Sequence, residues 1–508
     1  MKFPMFTSAN ALPRLRASLR GLLCFVLFTG SAWAVDEVVP ETEKPLSVVR
    51  VNVTNQPWDF LRPWGKKPPY SRRAVGTVLS GGRVLVTAEL VANANYLEFE
   101  TAEGGRKVPA TVEVVDYEAN LALLKTDEPD FLKTFAPLEI APAKVGDDLA
   151  VWQLESNGNL LVTHGPMTTA EVTRYPIDDS PFLIYRMTIP LQFRESSFTL
   201  PVVKGDKLVG VMMRYDAGTN NADLISEPII RHFLDDAAKP PYQGFPRLGI
   251  ATAQTRDPQF RRFIGLTPNQ PGGVYVTDVV QDSAAEKAGM ERGDVVLRVD
   301  GQPVDQDGNY RDAAYGKIAI SHLFSTRHHD GDAVKLSIFR NGEPKEISAT
   351  LARRIVENFT IEPYVIDRAP KFYVLGGLVL QELSRQYLKE WGSEWQKKAP
   401  EQFVYFDRQQ AELFKDGPKK IVFVNRVLPS DLTVGYEELS QVVVKKINGV
   451  ELQSIADVPR ALTQAVDGLH KIEFDGEPGT IYLDAVEIEK TAAAFQAKYR
   501  LPALQHLE

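Results

Sequence analysis

Cysteine is almost missing from this chain: one residue, Cys24, in 508. It sits in an apolar run near the start, and bulky Phe25 and Val26 follow it, which does not suit a lipoprotein cleavage site. Beyond that run there is no thiol, so a disulfide framework, a Cys-ligated metal and a cysteine nucleophile are excluded. Histidine is scarce as well. The seven stand at 164, 232, 322, 328, 329, 470 and 506, so the first 163 residues hold none. No basic run or stripe provides the electrostatic footprint of a nucleic-acid binder. Low-complexity segments are absent, and no apolar run reaches the roughly 20 residues of a membrane-spanning helix.

What is present begins with Arg14, Arg16 and Arg20, which precede the apolar run GLLCFVLFTGSAWA. That run ends in Ala32-Trp33-Ala34, a small-x-small pattern. A basic stretch, a short apolar stretch and an A-x-A end describe a secretory signal peptide over residues 1–34, cleaved after Ala34. An uncleaved anchor is the alternative. The expectation is an exported protein, periplasmic or otherwise extracytoplasmic, without a stable membrane span. Without Lys2 and the three arginines the chain keeps 54 basic against 66 acidic residues, a net charge of about −12. A length of 508 residues predicts about three further domains.

From Ser47 to Tyr215 short β runs alternate with turn residues: AVGTVL, RVLVTAEL, YLEFE, ATVEVV, LALLK, DLAVWQL and KLVGVMMRY. Strands of this length and spacing indicate an all-β sandwich or a pair of barrels. A helix is expected over Ser226 to Ala238, closing a first domain at 35–238. The Lys239-Pro240-Pro241 linker then marks a boundary. A second β-rich domain is expected at 244–353, with a helical patch at Ser283 to Ala288, and a third at 360–490. The third is interrupted by a helical insertion, Ser384 to Phe414, in which Tyr387, Trp391 and Trp395 recur at i, i+4. That aromatic stripe reads as core packing, with a partner-docking face as the alternative. Residues 491–508 are expected as a C-terminal tail.

Three landmarks carry chemistry in the first domain. Gly76-Thr77-Val78-Leu79 and a Gly81-Gly82 turn lead into Val84-Leu85-Val86-Thr87-Ala88-Glu89-Leu90-Val91. Asp116-Tyr117-Glu118-Ala119-Asn120-Leu121-Ala122-Leu123-Leu124 comes next, and then Arg194-Glu195-Ser196-Ser197-Phe198 before Gly205-Asp206-Lys207-Leu208-Val209-Gly210. In order and spacing these resemble the trypsin-type domain of the HtrA/Deg (Do-like) serine proteases. The resemblance places Leu90 where the family has its catalytic histidine, Asn120 where it has the triad aspartate, and Ser197 (Ser196 in a shifted register) at the nucleophile. Leu90 accepts no proton and Asn120 brings no charge. Glu195 stands where glycine would let backbone amides face an oxyanion, and Phe198 constrains the turn. A serine without a base is a weak nucleophile, and losing triad members costs several powers of ten in turnover. His164, in Thr163-His164-Gly165-Pro166, reads as a structural turn residue. A Ser197–Lys204 dyad is conceivable, but Lys204 sits in a polar hairpin turn. The unit reads as a pseudoprotease with a vestigial Ser197.

Residues 272–304, GGVYVTDVVQDSAAEKAGMERGDVVLRVDGQPV, carry the clearest pattern. Asp282 or Ser283 caps a short helix, Gly289 suits its left-handed end, and Asp300-Gly301 is a hairpin turn. The stretch resembles an HtrA-type PDZ domain, which implies binding of chain ends by strand addition, the carboxylate being held by loop amides. The resemblance puts that loop at Leu248, Gly249 and Ile250, with Arg247 beside it as a charge partner. The segment Gly308 to Asp332 departs from a minimal PDZ. It contains His328-His329, which lack the partners of a metal site. Phe372-Tyr373-Val374-Leu375-Gly376-Gly377-Leu378-Val379 resembles a second carboxylate-binding loop (Leu375, Gly376, Gly377) in a divergent PDZ. In the Deg subgroup it resembles, that module serves assembly or internal locking.

The expected fold is therefore mainly β, a trypsin-like double β-barrel followed by two PDZ domains. No cofactor and no metal are expected. The partners implied are peptide or protein C-termini, unfolded proteins, a trimer-based homo-oligomer or an active protease paralogue. The aromatic segment Trp58 to Trp64 is the expected oligomer contact. Three functions remain open: an inactive HtrA-like adaptor in protein quality control, a serine endopeptidase with a non-standard site at Ser197, and a structural scaffold.

Overall fold

The computed structural model describes residues 46–508 apart from 193–196, 268, 269, 271, 414, 416 and 417. The signal peptide with Cys24 and its cleavage point, and Arg194, Glu195, Ser196 and Phe414, lie outside the described residues.

Two seven-stranded sheets form the first part of the chain, antiparallel except where Glu139–Ile140 pairs parallel with Lys207–Asp216. In the first, Val48–Asn55 lies between Tyr70–Leu79 and Ala94–Glu100, with Arg83–Val86, Leu121–Lys125 and Thr111–Asp116 continuing one side. Gly76 is required inside this sheet, because a Cβ there would lie 2.5 Å from Val84 Cγ1 and 2.8 Å from Val51 Cγ2. In the second sheet, Leu200–Lys204 pairs with both Asp148–Leu154 and Lys207–Asp216. That double pairing closes the ring, leaving Leu200–Lys204 without an open edge. Helix Glu227–Ala237 follows and buries Ile229, Ile230 and Phe233.

His164 is not in a turn. It lies within the strand Leu160–Arg174, with Nδ1 2.9 Å from Asp148 Oδ2. The Gly165-Pro166 pair that signalled a turn marks a close crossing instead: a Cβ on Gly165 would meet the Thr188 carbonyl at 2.3 Å.

The next unit is an antiparallel sheet in the order Ile250–Ala253, Val274–Val279, Val295–Val299, Ala333–Arg340, Glu343–Thr350. Ser283 caps helix Ala284–Lys287 by accepting from the Glu286 amide at 3.2 Å, and Gly289 has φ +74° just beyond its end. The segment 308–332 folds into a hairpin, Asn309–Asp312 with Gly316–Ala319, and a helix, Ser321–Thr326. These lean on the second barrel. Leu323 and Phe324 share one continuous apolar core with Phe182, Tyr185 and Phe245, and the Tyr185 and Tyr315 hydroxyls are 3.0 Å apart. His232 stacks between Phe245 (ring centroids 4.3 Å) and His329 (4.2 Å). Burial, then the neighbouring His329, lowers the His232 pKa to about 4.

The last unit is an eight-stranded sheet running from Thr480–Asp484 at one end to Gln505–His506 at the other. Its helical insertion is broken into Arg385–Leu388, Trp395–Lys398 and Glu401–Leu413, because Gly392 (φ +87°) and Pro400 interrupt the helical path. Tyr387 and Trp395 pack with Phe403 and Phe423, as core. Two expectations change here. The segment Trp58 to Trp64 docks on this unit of its own chain: Phe60 joins the Tyr387–Phe423 cluster, Trp64 meets Phe372, and Asn425 Nδ2 donates to the Phe60 carbonyl at 3.0 Å. This contact buries Phe60 and leaves Trp58 and Trp64 half-buried. The tail is not separate either, since helix Ala485–Tyr499 crosses the proposed boundary and Gln505–His506 pairs with Phe372–Tyr373.

Candidate functional site

Ser197 lies just ahead of the strand Leu200–Lys204 and is 5% exposed. Its Oγ is 3.1 Å from Thr199 Oγ1 and accepts the Thr199 amide at 3.2 Å. From the strand Tyr70–Leu79, Arg72 reaches over it: Nη2 donates to Ser197 Oγ at 3.4 Å and to Glu89 Oε1 at 2.9 Å. Nη1 donates to the Glu89 carbonyl at 2.8 Å. Thr87 and Thr199 bond through their hydroxyls. A guanidinium has no acceptor and keeps its protons, so the charged group at Ser197 Oγ cannot serve as a base.

Leu90 is fully buried in the apolar core of the first barrel with Val86, Val91 and Leu124. Asn120, also fully buried, adopts φ +55°, a left-handed conformation asparagine tolerates. Its Oδ1 accepts the Glu89 amide at 2.8 Å, while its Nδ2 has no partner among the described residues. Asn120 thus holds the backbone beside Leu90 without contributing charge. Lys204 does not approach Ser197; its Nζ pairs with Asp147 at 2.7 Å. Sequence reasoning missed Arg72, Glu89 and Thr199. Nothing in the alternating strand around Arg72-Arg73 marks one arginine as inward-facing.

Two residues before Asn120, Glu118 heads a buried ionic cluster. It accepts Arg247 Nη2 at 3.0 Å and Arg354 Nη2 at 3.3 Å; Arg354 also pairs with Asp178, which in turn accepts the Ser180 hydroxyl at 2.6 Å. Asp116 accepts the Tyr242 hydroxyl at 2.6 Å and the Ala119 amide at 2.7 Å. Burial, and then the charge of Glu118, pushes the Asp116 carboxyl up to about 6. Arg247 therefore does not stand free as a ligand's charge partner. Glu118 supplies its counter-charge, and its guanidinium lies 4.7 Å from the Phe182 ring.

Leu248 is buried and its carbonyl accepts the Ala285 amide at 2.8 Å. Gly249 has φ +86°, and a Cβ on it would lie 2.3 Å from Ser283 Cβ, so only glycine fits. Ile250 opens the strand Ile250–Ala253, which pairs with Val274–Val279 on one side only among the described strands and leaves Ala251 and Thr252 exposed. An open edge beside this loop is the geometry that strand addition requires. The second loop differs. Leu375 pairs directly with Leu378, so Gly376 (φ +59°) and Gly377 (φ +121°) form a two-residue hairpin turn. Ser430 Oγ and the Leu428 amide donate to their carbonyls, both at 2.8 Å. The strand Leu378–Glu382 is paired on both sides. The expected second carboxylate loop is thus a closed turn.

Among the described residues no cluster of three or more His, Cys, Asp or Glu is arranged to hold a metal, and no helix is long and apolar enough to cross a membrane.

A double β-barrel with a serine between its sheets, followed by two further β-modules, defines a trypsin-like fold joined to PDZ domains. PDZ domain models match residues 246–351 and 361–505. A chloroplastic protease Do-like 2 of Arabidopsis thaliana is 25% identical over 455 residues, covering 88% of this chain and 72% of its own. A putative mitochondrial protease Do-like 11 of the same plant is 24% identical over 445 residues, covering 87% and 72%. Among solved structures, an HtrA-type protease AlgW with a decapeptide aligns with TM-score 0.46 at 16% identity, covering 61% of this chain and 97% of that one. The two PDZ domains and the Do-like protease relatives along most of the chain support the HtrA/Deg (Do-like) family.

Proposed function

We propose that this chain is an exported, catalytically inactive member of its family, which captures peptide C-termini or unfolded segments through its first PDZ domain. It would serve protein quality control outside the cytoplasm, or regulate an active protease of the same family. The reading rests on Ser197: buried, with no base bonded to its hydroxyl among the described residues, with Arg72 donating to its oxygen and Leu90 folded into the core. The binding half is supported by the Leu248–Ile250 loop beside an open strand edge. The second PDZ domain, its corresponding strand paired on both sides, has a structural role.

The test incubates the purified protein with an unfolded protein substrate, beside a Ser197→Ala, Ser196→Ala double variant. The expected result is no cleavage by either. Cleavage by the parent alone would establish a serine endopeptidase and defeat the proposal. Binding of a C-terminal peptide library is then compared with that of Gly249→Pro, which removes a loop amide. Binding lost in the variant supports capture, and no binding by either protein leaves a scaffold.

A further inference from the structure

The strand Ile250–Ala253 pairs with Val274–Val279 along one edge and with no described strand along the other. Register fixes which side chains flank that open edge. Ile250 stands opposite Val279 and both pack against the apolar core, so this pair faces inward. Side chains alternate along a strand, and the next pair, Ala251 opposite Asp278, faces outward. The register then shifts: Thr252 stands opposite buried Val276, and Thr277 is left as the extra residue of a bulge. Ala251 is exposed and Asp278 half-buried, and the Asp278 carboxylate has no hydrogen bond or ion pair among the described residues. A charge partly withdrawn from water and left unpaired gains from any cation brought to it.

A chain end added to the open edge continues this alternation, a step that rests on the capture proposed above. With its carboxylate on the Leu248–Ile250 loop, an antiparallel ligand sets its last residue beside Ile250 and the one before it beside Ala251. That penultimate side chain points outward, on the face that carries Asp278. Neighbouring strands lie about 4.8 Å apart, so the ligand backbone and that of Asp278 are about 10 Å apart with Ala251 between them. A methyl group is too short to separate them, and a Lys or Arg side chain spans the gap. Arg247, just ahead of the loop, does not answer Asp278, because it is held by Glu118 at 3.0 Å. Asp282 and Glu286, just past the paired strand, add two carboxylates against Lys287. Two ligand residues further upstream, the outward position faces Ala253 opposite Tyr275, whose ring packs edge-on against Phe260 at 5.2 Å and brings no charge. The electrostatic demand thus falls on the penultimate position.

We propose that Asp278 is a specificity-determining residue of the first PDZ domain, selecting chain ends with Lys or Arg in the penultimate position.

The experiment measures fluorescence anisotropy of the full chain with three pools of fluorescein-labelled peptides. Their last residue is an equal mixture of Val, Leu, Ile and Phe, and their penultimate residue is Lys, Gln or Glu. The Lys pool should bind tightest and the Glu pool weakest, about three- to tenfold apart, the gap narrowing as salt is raised. Asp278→Asn should bring the Lys and Glu pools together, and Asp278→Lys should invert their order, a gain that misfolding cannot produce. Equal binding of all three pools, lost when their carboxylates are amidated, overturns the selection and leaves the capture standing. A Lys preference that persists in Asp278→Lys overturns it as well. Amidated pools that bind like the free ones, or no binding by any pool, defeat the capture, and the selection falls with it.

Discussion

Reintroducing a histidine at position 90 tests the reading of the vestigial site directly. Leu90 is fully buried among apolar neighbours. Leu90→His gives up about 1.5–3 kcal/mol of apolar burial and leaves an imidazole N–H without a partner, at about 1–3 kcal/mol. The sum is about 2.5–6 kcal/mol, against a typical domain stability of about 5–15 kcal/mol. For a domain of this size each kcal/mol lowers Tm by about 2–4 °C, so differential scanning calorimetry should show the barrel transition falling by roughly 5–24 °C. Adding Asn120→Asp should still give no cleavage of an unfolded substrate, because Arg72 continues to donate to Ser197. A Tm change below about 2 °C would mean that the new side chain swings out of the core toward Ser197, and the packing argument would fail. Hydrolysis by the double variant with Arg72 intact would refute the assignment of Arg72 as the blocking group.

Asp116, raised to about 6, is disfavoured as an anion in the folded chain, so it adds stability as pH falls from about 6 toward its ordinary value of 3.8 and withholds it above 6. Asp116→Asn should therefore raise Tm relative to the parent far more at pH 8 than near pH 3.8, with an intermediate effect at pH 5; equal effects at pH 8 and pH 3.8 would contradict the shift. Arg354→Met strips a counter-charge from Glu118 and Asp178, leaving buried carboxylates at about 3–5 kcal/mol. Limited proteolysis should then cut near the 239–244 linker faster than in the parent, and an unchanged rate would remove the cluster from the list of interdomain ties. Gly249→Ala forces a Cβ to 2.3 Å from Ser283 Cβ at a positive φ and should abolish peptide binding in fluorescence anisotropy while Ala251→Ser, on the exposed strand, preserves it.

Much of this architecture was legible because it rests on local rules. Alternating strands, the Ser283 cap, the Gly289 helix end and the Asp300-Gly301 turn each depend on a few neighbouring residues. What was not legible depends on residues far apart in sequence. Arg72 and Ser197 are 125 positions apart, and Glu118 and Arg354 are 236 apart, so no spacing announces either pair. Glycines misled twice for the same reason. Gly165 looks like a turn but marks a crossing beneath Thr188, and Gly376-Gly377 looks like a ligand cradle but is a two-residue hairpin. In both cases the residue type was read correctly and its pairing partner was not: Thr188 for Gly165, and the direct Leu375–Leu378 pairing for Gly376-Gly377.

The contact between Phe60 and Asn425 joins residues separated by 365 positions. At a ribosomal rate of about 5–20 residues per second, the receiving module emerges roughly 20–70 s after the segment it must cover. Trp58, Phe60, Leu61 and Trp64 therefore spend the interval of biosynthesis as an uncovered aromatic surface on a barrel that has otherwise been completed. If the protein crosses a membrane before folding, that delay vanishes and the segment meets its cover at once. The same sequence thus carries a penalty for folding during synthesis that translocation in the unfolded state removes.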